Sequence, residues 1–256
     1  MDIERLARTL DDARRHAREV ERLTLEAPDL TLEQAYRVMD AGIALRLGRG
    51  ERIVGLKMGL TSEAKRRQMD LGEPIYGVLT DAMVVRGVFR MAGSLHPKIE
   101  PEIAFQFERG LSGRPDRAAV LAACTGVGPA LEILDSRYRD FRYFSLPDVV
   151  ADNASSSHVV LPASWVPVKD IDLSSVELVM SIDGRPRQRA RGEAISGDPV
   201  LSVVQLCVLL DGRGRSLPPR SVVLAGAATV AEQLQAGMEV RLDAERLDSV
   251  SVRVEP

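Results

Sequence analysis

The chain has 256 residues, 45% hydrophobic and 28% charged, the balance of an ordinary globular protein with one substantial core and room for a smaller appended lobe. A formal net charge of −3 and a pI near 5.8 offer no electrostatic case for nucleic acid as a partner. The N-terminus alternates acids and bases where a signal peptide would carry an apolar core, and the longest buried-looking run, Val203 to Leu210, is too short to span a bilayer. Cys124 and Cys207 stand apart among small or apolar residues and read as reduced core thiols, which predicts a cytoplasmic protein with no membrane partner.

Apolar side chains at Ile3, Leu6, Leu10, Ala13 and Val20 amid dense charge predict an amphipathic helix over 2–23. Thr31-Leu32-Glu33-Gln34 has the form of a capping box and opens a second helix, which carries Tyr36, Val38, Met39, Ile43 and Leu47 and stops at Gly48 and Gly50. Residues 1–70 therefore read as a helical N-terminal lobe, used for packing or for contact with another subunit. Ile53 to Gly59 reads as a buried strand containing Lys57, followed by Thr61-Ser62, which can cap a short helix through Met69. Burying an ammonium without a partner is costly. Lys57 must either snorkel to water or face an anionic site. Pro74 to Asp81 reads as a strand ending at a polar mouth, with Asp81 a turn residue or a catalytic one.

The stretch from His96 to Phe107 organises the rest. Read with period two, it sets Ile99, Pro101, Ile103, Phe105 and Phe107 on one face and Glu100, Glu102, Ala104 and Gln106 on the other. Residues two apart on a strand are separated by roughly 6.5–7 Å, close enough for two carboxylates to converge on one cation. Glu132, in the strand-like segment Ala130 to Ser136, adds a third. Glutamate oxygens suit Mg²⁺ or Mn²⁺, and no His/Cys cluster competes for the role; the alternative is a solvated outer face. Pro101 removes a ladder donor and so predicts an edge or mouth position for this strand. His96 is placed either to support the glutamates or to cap. Thr125 to Pro129 reads as a flexible approach to the Glu132 strand, and no dinucleotide or Walker-type loop occurs.

Asp148 to His158 is a polar cluster between apolar runs. It is either a turn whose Asn and Ser satisfy their own backbone, or a source of neutral donors for an anionic substrate with Asp152 behind them. The absence of a Gly-x-Ser-x-Gly elbow argues against a nucleophilic serine. In the last third, Val176 to Ile182 meets the hairpin signal Asp183-Gly184. The basic run Arg185 to Arg191, broken by Pro and Gly nearby, reads as solvated turns. Asp198-Pro199 starts a helix with Val200, Val203, Val204, Cys207 and Leu210 inward, ending at Gly212. Val222 to Gly226, Glu239 to Leu242 and Val250 to Val254 complete one sheet. Residues 71–256 thus read as a β-rich domain that would carry the site, integrated with the strand that carries Lys57.

Taken in this order, Gly55 to Ser62, Pro74-Ile75-Tyr76-Gly77, Ile99 to Phe105, Ala130 to Ile133 with Asp135-Ser136-Arg137, and Ala151 to Ser156 resemble the hydratase/decarboxylase family of the fumarylacetoacetate hydrolase superfamily. Its members serve aromatic meta-cleavage catabolism, and the resemblance runs from about Gly55 to Val254. It implies an α+β fold, a mixed β-roll or β-barrel of the superfamily's C-terminal type with a helical N-terminal lobe. It also implies Mg²⁺ (or Mn²⁺) held by Glu100, Glu102 and Glu132 and an active-site role for Lys57; beside these, Asp81 stands as a second catalytic candidate, and Asn153, Ser155 and Leu60 as candidates for substrate contact. The implied partners are a small-molecule 2-oxo acid, further copies of the chain in a homo-oligomer, and a complex with 2-hydroxypentadienoate hydratase. The contexts of Lys57 and Glu100 resemble the decarboxylases more than the sibling hydratases. Retention of all three glutamates and Lys57 argues against a non-catalytic scaffold. Ala231-Glu232-Gln233 departs from the apolar stretch expected there. Three carboxylates and one dication sum to −1, so a dianionic substrate needs another cation nearby. Lys57 fills that need by holding the departing carboxylate, stabilising the enolate or returning a proton.

Overall fold

The computed structural model describes residues 1–61, 73–141, 145–169 and 171–256; the helix expected from Thr61 to Met69 lies outside the described residues. Helix α1 (Ile3–Arg15) opens on Asp2, whose side chain accepts from the Arg5 N–H, and buries Leu6, Ala7, Leu10 and Ala13. It ends at Arg15, short of the predicted 23, because Ala17 turns left-handed (φ 45°) and Val20 crosses to pair with Tyr138. A single turn, α2 (Leu23–Glu26), follows. Helix α3 (Leu32–Gly48) carries the predicted capping box, with Thr31 and Gln34 bonding reciprocally. It packs against α1 and against the short helix Leu146–Ala151.

Thirteen strands follow among the described residues: β1 (Ile53–Gly59), β2 (Ile75–Thr80), β3 (Val84–Val85), β4 (Val88–Arg90), β5 (Lys98–Phe107), β6 (Cys124–Leu134), β7 (Ser156–Val160), β8 (Glu177–Ile182), β9 (Arg185–Arg191), β10 (Ser221–Ala227), β11 (Glu232–Gln233), β12 (Glu239–Ala244) and β13 (Asp248–Glu255). The predicted closing sheet divides in two. The larger sheet runs β2-β1-β10-β5-β6-β7-β3 with β11 on β5, and the smaller runs β4-β13-β12-β8-β9. β10 joins the larger, whereas β12 and β13 join the smaller.

Three local expectations are corrected. β5 is interior, between β10 and β6, and not at an edge. The missing Pro101 donor is tolerated because the β10 register shifts between Leu224 and Ala227, beside Glu102. Gly126 and Gly128 belong to β6 and do not form a flexible approach. A Cβ at Gly126 would meet Trp165 Cβ at 2.6 Å, and one at Gly128 would meet Pro162 Cγ at 2.7 Å, so these glycines serve close packing. The basic run Arg185 to Arg191 is the edge strand β9, paired along β8 with its arginines outward.

The helix Pro199–Asp211 starts from Asp198 and ends at Gly212 as expected. It packs on β10, its Ser202 hydroxyl donating to the Ala225 carbonyl; the stretch Gly192–Asp211, apolar and long enough to cross a membrane, is half buried in this fold. One continuous core extends from Leu6, Tyr36 and Met39 on the helices to Phe105, Phe107 and Val252. A second, small cluster of Leu79, Met83, Ala104, Ala130, Val159 and Leu224 lies on the opposite face of the larger sheet. Strand alternation puts Lys57, Glu100, Glu102 and Glu132 on that second face, which the curled sheet also buries.

Candidate metal centre

Register brings the carboxylates together. Glu100 stands opposite Glu132 across the β5–β6 ladder, with Glu102 two residues on, opposite Ala130. Carboxylate oxygens of the three lie within 4.8 Å of one another. Glu102 and Glu132 are both fully buried. Glu102 Oε2 accepts the Gly226 N–H at 2.7 Å. Gly226 sits at φ +108°, where a Cβ would meet Thr61 Oγ1 at 2.5 Å, so only glycine presents that donor. The other oxygen, Oε1, is buried with no hydrogen-bond partner among the described residues. Burial raises the Glu102 carboxyl well above the ordinary range, helped by Glu132 and Glu100 and opposed by Lys57 and the Gly226 N–H. A set of hard oxygen donors that repel one another, one of them with an orphaned buried oxygen, fits a hard divalent cation such as Mg²⁺ or Mn²⁺.

Lys57 is 3% exposed and does not snorkel. Its Nζ donates to Glu132 Oε2 at 3.2 Å, while Ser156 Oγ donates to Glu132 Oε1 at 2.6 Å. Of the two options the sequence left open for this lysine, the anionic site holds. Beside the cluster opens a cavity of about 310 Å³, lined by Lys57, Leu60, Lys98, Glu100, Phe141 and Ser155 among others. Ser155 Oγ is buried without a hydrogen-bond partner among the described residues. Leu60 (φ 56°) and the run Asn153, Ala154, Ser155 (φ 52°, 51° and 58°) all adopt the left-handed region. For residues with a Cβ this is sparsely populated backbone, of the kind that gathers where a fold must aim groups at a ligand.

Two site residues predicted from the sequence take other places. Asp81 is a turn residue: its carboxylate accepts from the Arg52 N–H at 2.9 Å and Nε at 3.1 Å, and it does not line the cavity. Asn153 is not a free donor. Its Oδ1 accepts the Val78 N–H at 2.7 Å and its Nδ2 donates to the Val78 carbonyl at 2.9 Å, strapping the 153–155 turn to β2. Gly77 makes the approach possible, since a Cβ there would meet the Asn153 carbonyl at 2.8 Å. The backbone N–H of His96 donates to Asp135 at 2.6 Å, while its ring Nε2 lies 2.8 Å from Glu19, so the side chain takes neither of the two places expected of it. The sequence reading missed Lys98 and Ser156. Lys98 had a signal, because it alternates with Glu100 and Glu102 on one face of β5; its Nζ lies 4.0 Å from the Phe141 ring centroid. Ser156 had none beyond membership of a polar run.

No family model matches the chain. It is 42% identical over 98% of its length to a 4-oxalocrotonate decarboxylase from a Pseudomonas species, covering 97% of that protein. It is 32% identical, over 98% of its own length and 97% of the relative's, to 2-hydroxyhexa-2,4-dienoate hydratase of Comamonas testosteroni. The crystal structure of 4-oxalocrotonate decarboxylase from Pseudomonas putida G7, complexed with magnesium and adipate, superposes with a TM-score of 0.94 at 35% identity, over 98% of this chain and 97% of that one. Fumarylpyruvate hydrolase of Pseudomonas aeruginosa, with Mn²⁺ and pyruvate, shares the fold at a TM-score of 0.63 and 17% identity, over 80% and 89% of the two chains. Fold and site together define an enzyme that shares the fold of fumarylpyruvate hydrolase and gathers three carboxylates on one face of the larger sheet. Within that fold, the chain belongs to the 4-oxalocrotonate decarboxylase and hydratase family.

Proposed function

We propose that the chain is a metal-dependent carboxy-lyase that converts 4-oxalocrotonate (2-oxo-3-hexenedioate) to 2-hydroxypenta-2,4-dienoate and CO₂ in aromatic meta-cleavage catabolism. The observation that carries this reading is the orphaned carboxylate oxygen of Glu102 beside a buried Lys57–Glu132 pair, in a chain similar along its whole length to decarboxylases of that name.

Glu100, Glu102 and Glu132 would hold Mg²⁺ or Mn²⁺, which when bound supplies Lewis-acid polarisation of the substrate's 2-oxo group. The rest falls to the chain's own side chains. Loss of the distal carboxylate leaves an electron pair that passes through the alkene toward the 2-oxo oxygen. A buried ammonium stabilises that developing charge far more than an exposed one would, and Lys57 is the cation in place. Lys98 adds a second positive charge to the same cavity, which suits a dianion. Ser155 offers its hydroxyl to a substrate carboxylate. Leu60, Ile75, Val149 and Ala154 supply apolar wall that keeps water from the alkene, favouring CO₂ loss over hydration. Homo-oligomerisation, association with a 2-hydroxypentadienoate hydratase and a cytoplasmic location, which suits the two unpaired cysteines, belong to the same proposal.

The test is to give the purified protein 2-oxo-3-hexenedioate with Mg²⁺ or Mn²⁺ and follow CO₂ release alongside ultraviolet loss of substrate. Metal-dependent CO₂ release that collapses in Lys57→Ala and Glu132→Gln is the expected result. Water addition to 2-hydroxypentadienoate with no CO₂ moves the activity to hydratase, and no metal-dependent turnover of either substrate overturns the reading.

A further inference from the structure

A second, much smaller cavity of about 40 Å³ lies where the helical lobe meets the β-core, lined by Arg14 of α1, Arg46 of α3, Arg137 after β6, and Asp11, Asp152 and Ser156 among others. Its charges do not balance locally. Arg137 is 4% exposed; its Nε and Nη2 bond the Asp152 carboxylate and carbonyl, and its Nη1 is buried with no partner among the described residues. Arg14 Nε is likewise buried without one. Glu51 is shared, 3.4 Å from Arg14 and 2.8 Å from Arg46, and Asp11 is taken by Arg49 at 2.6 Å. Among the described residues, four guanidinium groups (Arg14, Arg46, Arg49 and Arg137) therefore meet three carboxylates, Asp11, Glu51 and Asp152. The next acids are engaged elsewhere, Asp135 with the N–H groups of Leu95 and His96 and Asp148 with Thr24.

We propose that this junction cavity binds one small monovalent anion, chloride in ordinary solution, between Arg14 and Arg137. A buried guanidinium N–H without an acceptor is costly, and an anion supplies both the acceptor and the missing negative charge. Charge sets the class: one negative charge is missing, which a monovalent anion supplies and a dianion would overshoot, and a cavity of about 40 Å³ has room for a halide. The surrounding field agrees: burial, then Arg46, pushes the Arg14 guanidinium down to about 10, and burial, then Arg14, Arg46 and Arg137, pushes His158 down to about 4. The anion would tie α1 to the segment that carries Asp152 and Asn153, and through Asn153 to β2 behind the metal cavity.

The experiment uses the full chain with saturating Mg²⁺ supplied as gluconate. Tm is measured against chloride, bromide and sulfate, with ionic strength held constant by sodium gluconate, and a crystal grown in bromide is examined for anomalous scattering. Chloride and bromide should raise Tm by about 3–6 °C at roughly ten times the dissociation constant, sulfate should leave it unchanged, and the bromide peak should lie beside Arg137 Nη1. In Arg14→Gln, on the partly exposed side of the cavity, the halide shift should vanish. Should that variant fail to fold, the wild-type crystal decides alone. Equal Tm in chloride and gluconate, or no bromide peak in the cavity, overturns the proposal.

Discussion

Glu102 accepts one backbone N–H and leaves its second oxygen buried with no donor among the described residues, a state that a cation relieves. Glu132 differs, because both of its oxygens are engaged, one by Lys57 and one by Ser156. Ser156 therefore orients Glu132, a proposed metal ligand, through its hydroxyl. Partners of this kind are typically worth 10–100-fold in metal affinity, so Ser156→Ala should weaken Mn²⁺ binding by about that factor, measured by calorimetric titration. Activity at saturating metal should fall far less. The lysine predicts a different signature. In Lys57→Met the carboxylate cluster loses its counter-charge, which strengthens rather than weakens attraction for a dication, while turnover at saturating metal should drop by about 100-fold or more. Loss of metal affinity in Lys57→Met with turnover intact would remove the lysine from the chemistry.

At the scale of elements, the segment 146–160 decides how the cavity is walled. It leaves the helix Leu146–Ala151, passes through three left-handed residues and enters β7, held at its middle by the two Asn153–Val78 bonds. Asn153→Ala would leave a buried N–H and a buried carbonyl of β2 unpaired, at about 1–2 kcal/mol each. Urea denaturation should show a loss of about 2–4 kcal/mol with metal affinity little changed. Were Asn153 instead a substrate donor, KM would rise and stability would hold. This strap marks the limit of what the sequence shows. Periodicity and capping read out β1, α3, the Pro199–Asp211 helix and the shared face of Glu100 and Glu102, because each depends on residues within a turn or two. Asn153 finds its acceptor on a strand distant in sequence. Pro101 sits inside the sheet only because β10 bulges beside it. β9 hides its strand character because its outward positions are arginines and Pro186 interrupts the pattern. Lys57 and Glu132 were visible singly, and their pairing was set by tertiary register.

Across the whole molecule, one apolar cluster joins the N-terminal helices to both sheets, and β1, which precedes residue 70, is an interior strand of the larger sheet. The helical lobe therefore has no core of its own, and calorimetry should give a single transition whose calorimetric and van't Hoff enthalpies agree; a separate early transition would mark the lobe as an independent unit. The acid limb of that stability has an identifiable contributor. His158 on β7 stands edge-on to Phe89 at 5.1 Å between ring centroids, and burial, then the Arg14, Arg46 and Arg137 charges, lowers it to about 4 from an ordinary 6.5. The unfolded chain therefore takes up a proton through pH 6.5 that the folded chain refuses until about pH 4, and the unfolded state binds more protons throughout that window. Stability from this group is complete above pH 6.5 and is lost as pH falls toward 4. Between pH 7 and pH 5 the loss comes to about 2 kcal/mol. In urea titrations made in chloride-free buffer at both pH values, His158→Gln should lower stability at pH 7 yet lose about 2 kcal/mol less than the parent on acidification. An identical pH dependence in the two proteins would assign the acid limb to the buried carboxylates instead.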